Sequence, residues 1–119
     1  MAAGGCLALG LAACSSAPAS AAAGASCGAA RTGANVPVVI KVAKGTVDCG
    51  TVMSVEQSYA ALISAGDVRG NGGGAPVTVN GWTCQGYPTP QVLRTGNASE
   101  CHTSSAEVVA VLALPATGG

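Results

Sequence analysis

Six cysteines in a chain of 119 residues constrain this sequence more than any other feature. They stand at Cys6, Cys14, Cys27, Cys49, Cys84 and Cys101. Zinc sites usually contain short paired spacings such as C-x-x-C, and here the nearest potential ligand pair is Cys101 beside His102, the single histidine. Adjacent residues rarely bind one ion together. The pattern therefore favours disulfides formed in an oxidising compartment, and we expect no metal and no other cofactor.

The N-terminal residues 1–13 are small and apolar, as in the central region of a secretory signal peptide, although the basic residues that usually precede it are missing. Leu11-Ala12-Ala13-Cys14, which follows, resembles the bacterial lipobox. This resemblance implies that signal peptidase cuts before Cys14 and that Cys14 carries a lipid anchor. Stable anchoring needs more than one acyl chain. An ordinary secretory signal, cut near Ala13 or Ala23, is the alternative.

The next segment divides anchor from domain. Residues 15–26 are a low-complexity run of Ala, Ser, Gly and Pro, too poor in large apolar side chains to order itself. We therefore expect residues 14–26 to form a lipidated cysteine with a flexible tether. Residues 27–115 would form one globular domain, and residues 116–119 a tail.

The cysteine count supports this division. Cleavage removes Cys6 and lipidation occupies Cys14, so an even number remains for disulfides in the domain. The disulfide candidates are Cys27, Cys49, Cys84 and Cys101. Four cysteines allow three connectivities. We favour Cys27–Cys49 with Cys84–Cys101, since each pair joins elements that are adjacent in the sequence.

Hydrophobic periodicity predicts the elements of the domain. Alternating β-branched residues predict a strand over residues 36–47. Val52, Val55, Tyr59 and Leu62 follow at spacings of three, four and three, which is one face of a helix, with Glu56 expected on another face. Asp48 would cap this helix and Gly66 would end it.

Further strands are predicted over residues 77–84, 98–102 and 107–114, with a glycine-rich loop at 66–76 and one helical turn at 91–94. The fold class is thus α+β, with one helix packed on an antiparallel sheet of about 3–4 strands. Its core is thin and built mostly of valine, so disulfides are the expected supplement.

Three cysteine landmarks carry a resemblance to known proteins. They are G-T-V-D-C at Gly45–Cys49, V-N-G-W-T-C at Val79–Cys84 and T-G-N-A-S-E-C at Thr95–Cys101. This pattern resembles small exported proteins and cell-envelope lipoproteins of actinobacteria, a largely uncharacterised group. The resemblance covers roughly residues 45–114 and implies a location and an architecture, but no reaction.

Charge and length exclude several classes of function. A net charge of zero gives no electrostatic footprint for nucleic acid, so we expect no nucleic-acid partner. No apolar run reaches the roughly 18–20 residues of a spanning helix. We expect a protein at the extracytoplasmic face of the cell membrane, held there by the lipid on Cys14.

The sequence predicts no catalytic residue. His102 would be the general base of a hydrolase with Ser104 or Ser105 as nucleophile, but no G-x-S-x-G motif exists and the carboxylates form no acid–base pair. A hydrolase is therefore the least favoured class, and we expect no enzyme. Trp82 is expected to be a core residue, because tryptophan is usually largely buried.

The favoured function is a non-catalytic binding or structural module of the cell envelope, with an envelope protein or a small ligand as partner. The alternative is a carrier of a small ligand or glycan, which would use a groove near Trp82 and Tyr87. The motif LPATG at residues 114–118 resembles a sortase signal, but the apolar segment and basic tail of such a signal do not follow it. We interpret it as a coincidence or an addition to the chain.

Overall fold

The computed structural model describes residues 19–70 and 74–113. The predicted signal peptide, the lipidation site Cys14 and the LPATG motif lie outside the described residues. The strands are β1 (Ser20–Ala22), β2 (Ser26–Arg31), β3 (Pro37–Lys44), β4 (Thr46–Asp48), β5 (Val77–Val79), β6 (Trp82–Gly86), β7 (Asn97–His102) and β8 (Glu107–Leu112). The helices are α1 (Cys49–Ser64) and α2 (Thr89–Thr95).

The main sheet has six strands in the order β2-β3-β8-β7-β6-β5, and every neighbouring pair is antiparallel. Strands β1 and β4 form a separate antiparallel pair. A domain of helix on antiparallel sheet with two disulfides is therefore confirmed. The predicted size of the sheet, about 3–4 strands, is wrong, and a second short helix accompanies the first.

One missed strand, β1, lies within the predicted flexible tether, and a second, β2, begins at its last residue. Strand β1 pairs with β4, and β2 pairs with β3 from Ser26 to Arg31. The tether prediction is thus wrong for Ser20–Ala22 and for Ser26.

Another missed feature is the turn at Asn80 and Gly81, where φ is 50° and 86°. Two successive residues with positive φ make the tight hairpin turn that splits the predicted strand at 77–84 into β5 and β6.

One face of the sheet forms the core. Alternate residues of β3 point toward it, and their partners on β8 do the same, as the pairs Val38–Leu112, Ile40–Ala110 and Val42–Val108 show. Helix α1 covers this face with Val52, Val55 and Tyr59. This is the helical face that the sequence predicted.

The ends of α1 are also those expected. A carboxylate oxygen of Asp48 accepts hydrogen bonds from the backbone N–H and the hydroxyl of Thr51, both at 2.8 Å, and these bonds lower the pKa of Asp48. Gly66, with φ of 78°, follows the last turn and its N–H donates to the carbonyl of Ile63. No helix in the described part of the chain is long and apolar enough to cross a membrane.

Both disulfides have the favoured pairing. Cys27–Cys49 ties β2 to the first residue of α1, and Cys84–Cys101 joins residues that face each other on β6 and β7. All four cysteines are buried in the core, together with Trp82. The bridges therefore fix the start of the helix to one edge of the sheet and lock two strands on the other side.

Candidate functional site

A cavity of about 320 Å³ lies between α1 and the core face of the sheet. The second half of α1 forms one wall, the turn between β2 and β3 a second, and α2 with the loop before it a third. Most of the lining is apolar. The larger apolar side chains are Val36, Val38, Ile63, Val92 and Leu112.

Two polar side chains of α1 interrupt this apolar lining. Glu56 and Tyr59 both face the cavity, and they are only 6% and 3% exposed. Glu56 Oε2 and Tyr59 Oη have no hydrogen-bond partner among the residues that the structure describes. Buried polar groups are nearly always paired, so two such groups in one cavity require an explanation.

Burial changes the titration of both groups. It raises the pKa of Glu56 to about 7, because the carboxylate has lost its hydration and gains no positive partner. The pKa of Tyr59 rises to about 12, first through burial and then through the negative charges of Glu56 and Glu100. A positive charge at this end of the cavity would therefore be favoured.

Gly86 lies beside the Tyr59 hydroxyl, in ordinary van der Waals contact with its surroundings. A Cβ atom at this position would lie 3.4 Å from the Cα of Gly74 and 3.7 Å from Tyr59 Oη. The N–H of Gly86 also donates to the carbonyl of Gly74 at 3.2 Å. The end of β6 and the loop before β5 thus approach each other closely beside the phenol.

The turn between β2 and β3 rests directly on α1. Ser64 Oγ donates a hydrogen bond to the carbonyl of Gly33 at 3.0 Å. A Cβ at Gly33 would come within 2.5 Å of the Cβ of Ile63, so only glycine allows this approach. Close packing of turn against helix closes one side of the cavity.

We expect Gly33→Ala to destabilise the domain by roughly 1–3 kcal/mol, the usual range for overpacking. The new methyl group must push the turn away from Ile63. The matched control is Gly50→Ala on α1, where the nearest atom to the new methyl is Asp48 Oδ2 at 3.4 Å and alanine is the better helix former. Urea unfolding of both variants measures the difference, and equal stability of the two would contradict this packing.

Arg31 is the basic residue in the lining of the cavity, and it stands at the exposed rim. Its side chain donates to the carbonyl of Asn35 at 3.0 Å. Within the described ranges, one contact joins a carboxylate to a basic side chain, that of Glu100 with His102, and it does not involve Glu56. The buried carboxyl of Glu56 therefore has no cation of the described chain beside it.

The structure separates the two residues proposed as a ligand groove. Tyr87 is half-buried and lines the cavity. Trp82 is 9% exposed, belongs to the core and is not part of the lining. Trp82 is thus a packing residue, and a groove that uses both aromatic rings is not present in the described part of the chain.

Sequence reasoning missed Glu56. It assigned this residue to another face of the helix, but Glu56 lies four residues after Val52 and three before Tyr59, and all three are buried. That spacing places it within the buried stripe. A carboxylate at such a position was the one signal that pointed to the site.

His102 takes part in a different arrangement. Its Nδ1 lies 3.0 Å from Glu100 Oε1, and Cys101 between them points into the core, so the pair occupies the opposite face of β7. Ser104 and Ser105 are exposed in the following turn, and neither hydroxyl bonds to His102 in the structure described.

Residues 19–70 and 74–113 contain no group of three or more His, Cys, Asp or Glu that could hold a metal ion.

Comparisons with protein-family models, with curated proteins and with solved structures gave no match to this chain.

Proposed function

We propose that this domain is a binding module for a small molecule, which occupies the cavity between α1 and the sheet. The observation that carries the proposal is the pair of buried, unpaired polar groups, Glu56 Oε2 and Tyr59 Oη, at an otherwise apolar cavity. A ligand that brings hydrogen-bonding groups to them would recover the desolvation cost, which is about 1–3 kcal/mol for each neutral group.

The size and lining of the cavity agree with this role. Ligand sites are typically concave spaces of about 300–1,000 Å³, mostly apolar, with a few polar groups that orient the ligand. The present cavity, at about 320 Å³, lies at the small end of this range. The ligand would therefore be a compact molecule with an apolar body.

The elements around the cavity are held in place before any ligand arrives. Cys27–Cys49 fixes the start of α1 to β2, and Cys84–Cys101 fixes β6 to β7. The contact of Ser64 with Gly33 holds the turn against the other end of α1. Such preorganisation reduces the ordering cost of binding and supports a site for a specific ligand.

The location remains the one expected from the sequence. We propose a non-catalytic module on the extracytoplasmic face of the cell membrane, anchored by the lipid on Cys14. Two buried disulfides support an oxidising compartment, since such bonds are rare in the cytosol. A glycan that stacks on Trp82 is less well supported, because that ring is buried.

Filling the cavity tests the proposal. Ala60→Phe places a large ring in the lining, and Ala61→Phe makes the same change at the next, exposed position of α1. With benzyl alcohol as probe and calorimetry or NMR titration as readout, we expect wild type and Ala61→Phe to bind alike. We expect Ala60→Phe to lose at least about tenfold in affinity, since one buried ring excludes another. Equal binding by the two variants would contradict the proposal.

A further inference from the structure

We propose that the ligand of this cavity is a small apolar amine, whose protonated nitrogen binds between the Glu56 carboxylate and the Tyr59 hydroxyl. This inference rests on the proposed function and adds the chemical class of the ligand.

The hydrogen-bonding groups at this end can accept more bonds than the protein supplies. An ionised carboxylate accepts hydrogen bonds and donates none, and the hydroxyl oxygen of tyrosine can accept as well. Neither Glu56 Oε2 nor Tyr59 Oη receives a hydrogen bond from the described residues. An alkylammonium group carries three donors, so one nitrogen can serve both oxygens.

The charges that act on the buried end have one sign. Beyond the effect of burial, the negative charges of Glu56 and of Glu100, which lies on β7 outside the lining, raise the pKa of the Tyr59 phenol. Arg31 stands at the exposed rim and is engaged with Asn35. A carboxylate ligand would meet repulsion at Glu56, whereas an ammonium ion would be attracted.

A neutral alcohol fits the same space less well. It would hydrogen-bond to one oxygen but leave the burial of the Glu56 charge uncompensated. A cation compensates that charge directly, and hydrogen bonds between charged partners are roughly twice as strong as neutral ones. The apolar walls, including Ile63 and Leu112, would hold the body of the amine.

The affinity for an amine should depend on pH through Glu56. Three other charged or titratable residues line the cavity with Glu56: Tyr59 on the same helix, Arg31 at the end of β2 and Tyr87 after β6. Glu100 on β7 lies outside the lining and acts on Tyr59 through its charge. The pKa of each tyrosine is raised above its ordinary value, so both stay neutral, and arginine stays charged. Glu100 is engaged with His102 on the opposite face of β7.

With the pKa of Glu56 at about 7, protonation competes with the amine below neutrality. The fraction of ionised carboxyl then predicts that affinity is about 30-fold weaker at pH 5.5 than at pH 8. An alcohol carries no charge and should show a much smaller dependence.

The test uses three probes of nearly equal shape, benzylamine, benzyl alcohol and benzoate, titrated into the full chain by calorimetry. At pH 8 we expect benzylamine to bind at least about tenfold more tightly than benzyl alcohol, and benzoate to bind worst. Glu56→Gln should abolish this preference and its pH dependence while still binding benzyl alcohol. Glu107→Gln, the same change outside the cavity, should leave the preference for benzylamine and its pH dependence unchanged.

The outcomes separate this inference from the proposed function. Binding of benzyl alcohol without a preference for benzylamine, or a preference that survives in Glu56→Gln, would overturn the amine assignment and leave the binding module standing. Failure of all three probes to bind the wild-type chain would overturn both.

Discussion

Replacing Cys27 and Cys49 together by serine is expected to lower the free energy of unfolding by about 3 kcal/mol. The bridge closes a loop with a sequence separation of 22 residues, and opening it gives the unfolded chain more conformations. The bridge also joins the first residue of α1 to β2. This strand consists mostly of small residues and lies at the edge of the sheet. The variant should therefore lose both stability and the alignment of α1 over the sheet.

Urea unfolding under oxidising conditions measures this loss, with Cys84→Ser/Cys101→Ser as the matched comparison. The second bridge has a separation of 17 residues, so its loss should also cost about 3 kcal/mol. The two variants should differ in binding, because Cys27–Cys49 positions the helix that carries Glu56 and Tyr59. A loss below about 1 kcal/mol for both variants would contradict the view that the thin core needs its disulfides.

The second large effect concerns Glu56 and pH. Burial raises its pKa to about 7 in the folded protein, whereas an unfolded glutamate titrates near 4.3. The folded state therefore holds this proton more tightly than the unfolded state. The resulting stabilisation is complete below the unfolded pKa and is lost as pH rises through the folded pKa. Between pH 5 and pH 8 the domain should lose about 2.5 kcal/mol from this group.

Glu56→Gln keeps the shape of the side chain but removes the charge. Its stability should change much less than that of wild type between pH 5 and pH 8, and at pH 8 the variant should be the more stable of the two. Chemical unfolding at both pH values measures the effect, with Glu107→Gln as the control for loss of a carboxylate outside the cavity. The interpretation of Glu56 as a buried, uncompensated acid would fail if wild type and Glu56→Gln had the same pH profile.

The parts of the fold that the sequence predicted correctly are those with strong local signals. The spacing of Val52, Val55 and Tyr59, with a cap at Asp48, was sufficient to place α1. The even count of four cysteines and their order along the chain favoured the observed pairing. These features depend on residues near each other in the sequence, so periodicity and capping rules apply to them directly.

The missed strands lack such signals. Strands β1 and β2 consist mostly of Ala, Ser and Gly, which have little intrinsic preference for a strand. They are ordered by pairing with β4 and β3 and by the bridge at Cys27. The β5–β6 hairpin is different, because its Asn80-Gly81 turn is a recognised hairpin signal within a segment that was predicted to be one strand.

The cavity could not be predicted from local patterns. It exists because α1, the turn at Gly33 and the region around α2 meet without filling the space between them, and this depends on the tertiary arrangement. Of its residues, Tyr87 was identified for its aromatic ring and Glu56 was assigned to the wrong face. A charged residue within a buried helical stripe is the pattern that would have led to the site.

The most direct test of the account is to locate a bound probe on the full chain by methyl NMR. On addition of benzylamine at pH 8, the account predicts shifts for the methyl groups of Ile63, Val92 and Leu112, which line the cavity. The methyl groups of Val47 and Val79, buried in the core outside the lining, should remain unchanged. Shifts centred on Val47 and Val79, or no shifts at saturating probe, would contradict a ligand site between α1 and the sheet.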